Sequence, residues 1–138
     1  MAELIARLRK ALGESGVLTG EEALERAQGG WSHLGVPLAV VRPASTEEVS
    51  VAVRLCHEAG QGIVPWGGKT GLVEGGNAEG MIALWLERLN RIENVDGLAG
   101  YMIAQAGVPL QVACEAAEEK GFFFPLDLGA RGSATIGG

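Results

Sequence analysis

Residues Pro37 to Gly76 read PLAVVRPASTEEVSVAVRLCHEAGQGIVPWGGKTGLVEGG, and this stretch decides the fold. The apolar run at 37–42, closed by Pro43, predicts a short buried strand. Ser45 and Glu48 have the spacing of a capping box. Behind them Val49, Ala52, Val53 and Cys56 mark the inward stripe of a helix over 46–59, which Gly60 ends. A second buried strand is expected over 62–65. Strand, helix and strand in this order form a βαβ unit with a right-handed parallel crossover. The glycine-rich loop that follows leaves the carboxyl end of the second strand, where open α/β sheets place their ligands.

Gly68-Lys69-Thr70 in that loop invites comparison with nucleotide-binding designs. A Walker A loop needs its first glycine five positions before Gly68, where Ile63 stands; Gly62 misses by one. Pro65-Trp66 also stiffens the loop, and Gly71 with Gly75-Gly76 opposes the helix that should begin at Lys69-Thr70. The dinucleotide fingerprint Gly-x-Gly-x-x-Gly is missing from Pro65 to Gly76. What the residues leave is a loop of small side chains whose backbone N–H groups can converge on a phosphate as a nest, with the Thr70 hydroxyl and the Lys69 charge beside them. A glycine-rich hairpin that binds nothing stays open on spacing alone. The second glycine-rich stretch, PLDLGARGSATIGG at 125–138, has the same character, with Ser133, Thr135 and a terminal Gly-Gly. Two nests, each after an expected strand, could hold one long ligand between them.

Elsewhere the patterns are ordinary. Leu4, Ile5, Leu8 and Leu12 have helical spacing over 2–12, stopped by Gly13, and GVLTGEEALERA reads as a turn and a short helix. MIALWLERLNRI opens as a strand and YMIAQAG is another. Pro109 starts a helix with Val112, Ala113, Ala116 and Ala117 inward and Gly121 at its end, and Phe122–Phe124 reads as a short aromatic strand.

The bulk numbers exclude several classes. The chain has 138 residues, 47% of them apolar, which suits one domain with a real core. Its 22 glycines gather in three clusters. A net charge of −6 without a basic stripe argues against nucleic acid as a partner. Cys56 and Cys114 sit among apolar neighbours and read as core residues of a reducing compartment. No run approaches the roughly 20 apolar residues of a membrane span, and the first residues lack a signal-peptide core, so a cytoplasmic protein is expected. His33 and His57 read as structural or solvated. The three glutamates of CEAAEEKG read as a solvated helix face, and no Cys/His cluster has metal spacing.

VRPASTEEV, PWGGKTGLVEGG, QAGVPL and PLDLGARGSATIGG, in that order, resemble the FAD-binding half of the FAD-linked oxidases, the vanillyl-alcohol-oxidase type of flavoprotein. The nearest branch is that of the D-2-hydroxyglutarate and related D-2-hydroxyacid dehydrogenases. The resemblance implies an α+β fold: a small parallel βαβ lobe over about 1–86, then the start of a mixed or antiparallel second lobe over about 87–138. It implies FAD as cofactor, held by Pro65, Trp66, Gly67, Gly68, Lys69, Thr70, Gly71, Gly75 and Gly76 in the diphosphate loop. The second flavin-contacting segment corresponds to Leu126, Asp127, Leu128, Gly129, Ser133, Thr135, Ile136, Gly137 and Gly138. Lys69 replaces the usual Asn or Thr, and Glu74 replaces a small residue and would repel a diphosphate if it faced inward. The loop has no histidine, so a non-covalent flavin is expected.

Members of the family continue beyond this point with more flavin-binding chain and a separate substrate domain. The resemblance therefore makes this stretch an incomplete FAD-binding domain. The 2-hydroxyacid would be met only through the rest, and no catalytic or metal-binding residue is assigned here. A non-catalytic fragment that binds FAD weakly or not at all is the alternative, and unpaired edges and apolar surface such as Phe122–Phe124 predict self-association.

Overall fold

The computed structural model describes residues 1–28 and 31–138. Its larger sheet contains β1 (Val17–Leu18), β2 (Ala39–Val41), β3 (Ile63–Trp66) and β4 (Ile82–Trp85), in the order β1-β2-β4-β3. Strands β2, β4 and β3 are parallel, and β1 runs antiparallel beside β2. The two strands joined by the long capped helix α3 (Thr46–Glu58) are therefore parallel but not adjacent, because β4 lies between them. The sequence explains why. Ile82, Ala83 and Leu84 are all buried, the continuous apolar run of a strand covered on both faces. β3 carries Pro65, which has no N–H for a second neighbour and so belongs at an edge.

The two faces of this sheet bury different sets of side chains. Ala39, Val41, Ile82 and Leu84 point toward α1 (Ala2–Leu12) and α3, meeting Leu4, Leu8, Leu12, Ala52, Leu55 and Cys56. Val40, Ala83 and Trp66 point the other way, against Leu18, Leu34 and Ala23 of the short helix α2 (Glu21–Ala27). The capping box of α3 is present: Glu48 N–H donates to Ser45 Oγ at 3.2 Å, and Ala44 N–H donates to Glu48 Oε2 at 2.7 Å. Its buried stripe is Ala52, Leu55 and Cys56, with Val49 half-buried and Val53 exposed, so Leu55 takes the place expected of Val53. The inward face is centred one position later in the turn than the apolar letters suggest.

A smaller antiparallel sheet pairs β5 (Ile92–Asp96) with β6 (Tyr101–Ala104), with a register shift between Ile92 and Asn94. Asp96 Oδ1 accepts the N–H groups of Leu98 and Ala99 and so shapes the connecting turn. Helix α4 (Leu110–Glu118) follows Pro109 as expected, but Leu110, Ala113 and Ala117 are its buried residues, while Val112 is exposed and Ala116 only partly covered. Phe122–Phe124 forms no strand. Instead the Phe122 ring lies over the β5–β6 turn, near Gly97 and Gly100, and Phe123 is 80% exposed. The two sheets meet at Gly107, whose N–H donates to Leu89 O at 2.7 Å. A Cβ on Gly107 would stand 2.0 Å from Leu86 O, so only glycine permits this approach.

Candidate functional site

The first glycine loop is built from β3 outward. Trp66, 1% exposed, plugs the space beneath it, and its Nε1–H donates to Gly76 O at 2.6 Å, drawing the ends of the loop together. Asn77 N–H donates to Glu74 O, and Glu74 itself adopts the left-handed conformation with φ 57°. Its side chain is exposed and lies outside the cavity lining, which removes the repulsion an inward carboxylate would bring. Among the described residues, no backbone N–H from Gly67 to Gly76 has a hydrogen-bond acceptor. A run of free donors in a small-residue loop is what an anion needs.

The second loop is anchored to the chain around Pro109. Ile136 N–H donates to Val108 O and Gly137 N–H to Ala106 O, with a bridge between Pro109 and Thr135. Leu110 and Gln111, at the start of α4, donate their N–H groups to Ala134 O and Arg131 O. These helix-end donors are thereby spent on the loop and do not form an anion site of their own.

The structure brings the two loops together. A Cβ on Gly67 would lie 2.4 Å from Thr135 Oγ1, and one on Gly68 would lie 1.8 Å from Ser133 O. A cavity of about 400 Å³ opens along this junction. Of the residues expected to hold a cofactor, Pro65, Trp66, Gly67, Gly68, Lys69, Thr70, Gly71, Gly75, Gly76, Thr135, Gly137 and Gly138 line it. Ser133 lines a second cavity of about 300 Å³ across the junction, with Trp85, Glu87 and Asn90. Leu126, Asp127, Leu128, Gly129 and Ile136 line neither; Asp127 instead meets Arg131 at 3.5 Å. Ser32 and Leu34 also line the larger cavity and were not foreseen. Their segment has no periodicity, and no sequence signal marks it.

Lys69 departs from expectation in direction. Its ammonium leaves the loop and donates to Arg26 O at 2.8 Å, passing 4.1 Å from the centre of the Trp85 ring. Burial holds its pKa below the ordinary lysine value; Glu87 partly offsets this, and Arg26 adds to it. Trp85 in turn donates Nε1–H to Gly67 O at 3.2 Å. His33 accepts the Gly35 N–H on Nδ1, a structural role, and His57 is exposed in the last turn of α3. Among the described residues no cluster of His, Cys, Asp and Glu is arranged to hold a metal ion.

A family model described as FAD binding domain matches residues 37–138. The D-2-hydroxyglutarate dehydrogenase of Xanthomonas citri pv. viticola is 43% identical over 103 residues, covering 74% of this chain and 22% of that protein. The mitochondrial D-2-hydroxyglutarate dehydrogenase of Bos taurus is 37% identical over 125 residues, covering 88% and 23%. The chain thus spans about a quarter of the length of these curated relatives. Among solved structures, an alkyldihydroxyacetonephosphate synthase superposes with a TM-score of 0.87 at 19% identity, over 99% of this chain and 30% of that one. A p-cresol methylhydroxylase gives 0.74 at 20% identity, over 99% and 28%. At these identities the likeness is one of fold. The fold expected from the resemblance, a vanillyl-alcohol-oxidase-type FAD-binding architecture, is therefore the one observed. The unpaired donors of the first loop, the glycine contacts that close the junction and the cavity along it fit the diphosphate of FAD.

Proposed function

Given that the chain belongs to the FAD binding domain family, we propose that it is the FAD-binding portion of a flavin-dependent dehydrogenase that oxidises a D-2-hydroxyacid, of the 2-hydroxyglutarate, lactate or glycolate class, to the 2-oxoacid. FAD is its cofactor. The observation that carries the cofactor site is the meeting of the two glycine loops at one cavity edged with unpaired backbone donors. The substrate class is supported by relatives 37–43% identical that bear the name D-2-hydroxyglutarate dehydrogenase.

When bound, the flavin supplies a two-electron acceptor for the hydride of an alcohol carbon. This chain's residues do the holding. The N–H groups of Gly67 to Gly71 and the Thr70 hydroxyl face the diphosphate as donors, and Thr135, Gly137 and Gly138 form the opposite wall. The lining of this cavity holds no histidine, cysteine or tyrosine among the described residues, which supports a flavin not bonded to this chain. Lys69 is the one ionisable side chain in that lining, so the group that takes the hydroxyl proton is supplied by other parts of the protein. The same observation favours a second reading, in which the 138-residue chain binds FAD without turnover of its own. The exposed Phe123 and Leu126 support self-association in that state. The free cysteines Cys56 and Cys114 support a reducing, cytoplasmic setting.

The test is an FAD titration followed by flavin fluorescence, then anaerobic addition of D-2-hydroxyglutarate. Saturable micromolar binding that is lost in Gly68→Val supports the cofactor site. Binding without bleaching is the result expected of an FAD-binding portion that lacks the proton acceptor, and bleaching of the bound flavin by the hydroxyacid would show that this chain alone carries the reaction. No binding up to millimolar FAD would mean that the two loops do not form a cofactor site in this chain alone.

A further inference from the structure

We propose that Lys69 is a positioning residue, a clamp that holds the diphosphate loop in shape from behind, with its charge directed to the body of the protein instead of to the ligand. The inference rests on the cofactor reading above for its ligand. It explains three features of one residue that the cofactor site leaves unused. Lys69 has φ 55°, a left-handed conformation that asparagine and glycine tolerate better than lysine. Its ammonium already has a partner, the Arg26 carbonyl in the last turn of α2, across 43 residues of sequence. That ammonium also lies 4.1 Å from the centre of the Trp85 ring, whose indole N–H holds the carbonyl of Gly67 two residues earlier in the same loop.

The loop is thus gripped at both ends of its donor run. Trp85 fixes Gly67 to the sheet, Lys69 ties the middle of the loop to α2, and Trp66 fixes Gly76 at the far end. Between these points the N–H groups have no acceptor among the described residues, so no hydrogen bond of their own fixes their direction. A cradle of unpaired donors gains affinity only if it is ordered before the anion arrives. The residue with the strained φ thus also supplies a contact that holds it, and the half-buried ammonium near the Trp85 and Trp66 rings has the cation–π geometry expected of a fixed strut.

The experiment uses Lys69→Met, which keeps an unbranched side chain of similar length but removes the donor, the charge and the cation–π contact with Trp85, and Lys69→Gly, which also relaxes the backbone. Amide ¹⁵N order parameters of Gly67 to Gly71 are measured in the chain without ligand. FAD affinity is then measured across a range of ionic strength, alongside the melting temperature. Both variants should lose order in Gly67–Gly71. Both should bind FAD about tenfold more weakly, the loss of one charge-assisted hydrogen bond, while the salt dependence of binding stays that of the wild type. Lys69→Gly, free of strain, should do so without a lower melting temperature, which separates positioning from general stability. Wild-type order in both variants overturns the proposal. So does a flattened salt dependence, which would make the ammonium a direct ligand of the diphosphate. If the wild-type chain binds no FAD, the two loops form no cofactor site in this chain alone, and the order parameters alone decide the clamp.

Discussion

Replacing Gly68 by alanine puts the loop junction under direct load. A Cβ there would stand 1.8 Å from Ser133 O, 2.6 Å from the Ser133 carbonyl carbon and 3.0 Å from Ala134 Cα. All three are backbone atoms, so no side chain can rotate aside. The loops must part by roughly 1.5 Å to reach ordinary contact distance. Overpacking of this kind costs about 1–3 kcal/mol. The parting also stretches the bond from Leu110 N–H to Ala134 O, now 2.8 Å, worth about 1 kcal/mol. For a chain of this size the melting temperature falls by about 3 °C per kcal/mol, so thermal melts should drop by roughly 6–12 °C. FAD affinity should fall by at least tenfold, because the opposing walls of the cavity separate. Gly71 is the matched control: a Cβ there meets nothing within 4 Å, and its φ lies outside the left-handed region. Gly71→Ala should melt like the wild type. A Gly68→Ala chain that melts and binds FAD as the wild type does would refute the closed junction, as would a Gly71→Ala chain destabilised to the same extent.

Trp66→Phe removes the indole N–H that Gly76 O accepts, and thermal melts should report a loss of about 1–2 kcal/mol with a slackened first loop. Ser45→Ala deletes the acceptor for Glu48 N–H and should destabilise the chain by about 1 kcal/mol in urea titration, without changing FAD affinity in the folded state. Asp96 is held below its ordinary value of 3.8 by the N–H groups of Ala99 and then Leu98. Between the two pKa values the unfolded chain binds more protons than the folded one. The contribution is therefore complete above 3.8 and fades as pH falls through the folded value. Asp96→Ala should remove that part of the acid loss, seen as a shallower fall of stability with pH; parallel curves for variant and wild type would count against it.

The parts legible in the sequence are those whose signals are local. Ser45 and Glu48 lie within one helical turn, Pro109 stands at the start of α4, and the small residues of each nest are contiguous. Strand order is not local. The βαβ pattern gives the direction of β2 and β3, but the insertion of β4 between them depends on a segment that follows both. Pro65 was the available clue, since a strand with a missing donor belongs at an edge. β1 has only Val17 and Leu18, too few residues for any period to show. β5 is hidden for a different reason: the register shift between Ile92 and Asn94 breaks the alternation that would have announced it. The Phe122–Phe124 run reads as a strand by propensity, yet its first ring packs over a turn instead.

The site divides along the same line. That two glycine loops could share one ligand is suggested by their common composition, and the close approaches of Gly67 and Gly68 to Thr135 and Ser133 show that the loops meet. Which way Lys69 points does not follow from composition. Beside a diphosphate loop, an isolated lysine reads as a counter-charge, because sequence shows the ammonium and the anion but not the carbonyl that competes for it. That carbonyl belongs to Arg26, and only the packing of α2 beside Trp85 brings it within 2.8 Å. With the ammonium so engaged, the positive potential proposed to meet the diphosphate would come from backbone dipoles. Such dipoles add no net charge, so diphosphate binding through them should weaken with salt less than binding to a lysine would. On the proposed reading an acidic chain would hold an anionic cofactor through the order of the loop and not through the count of its charges.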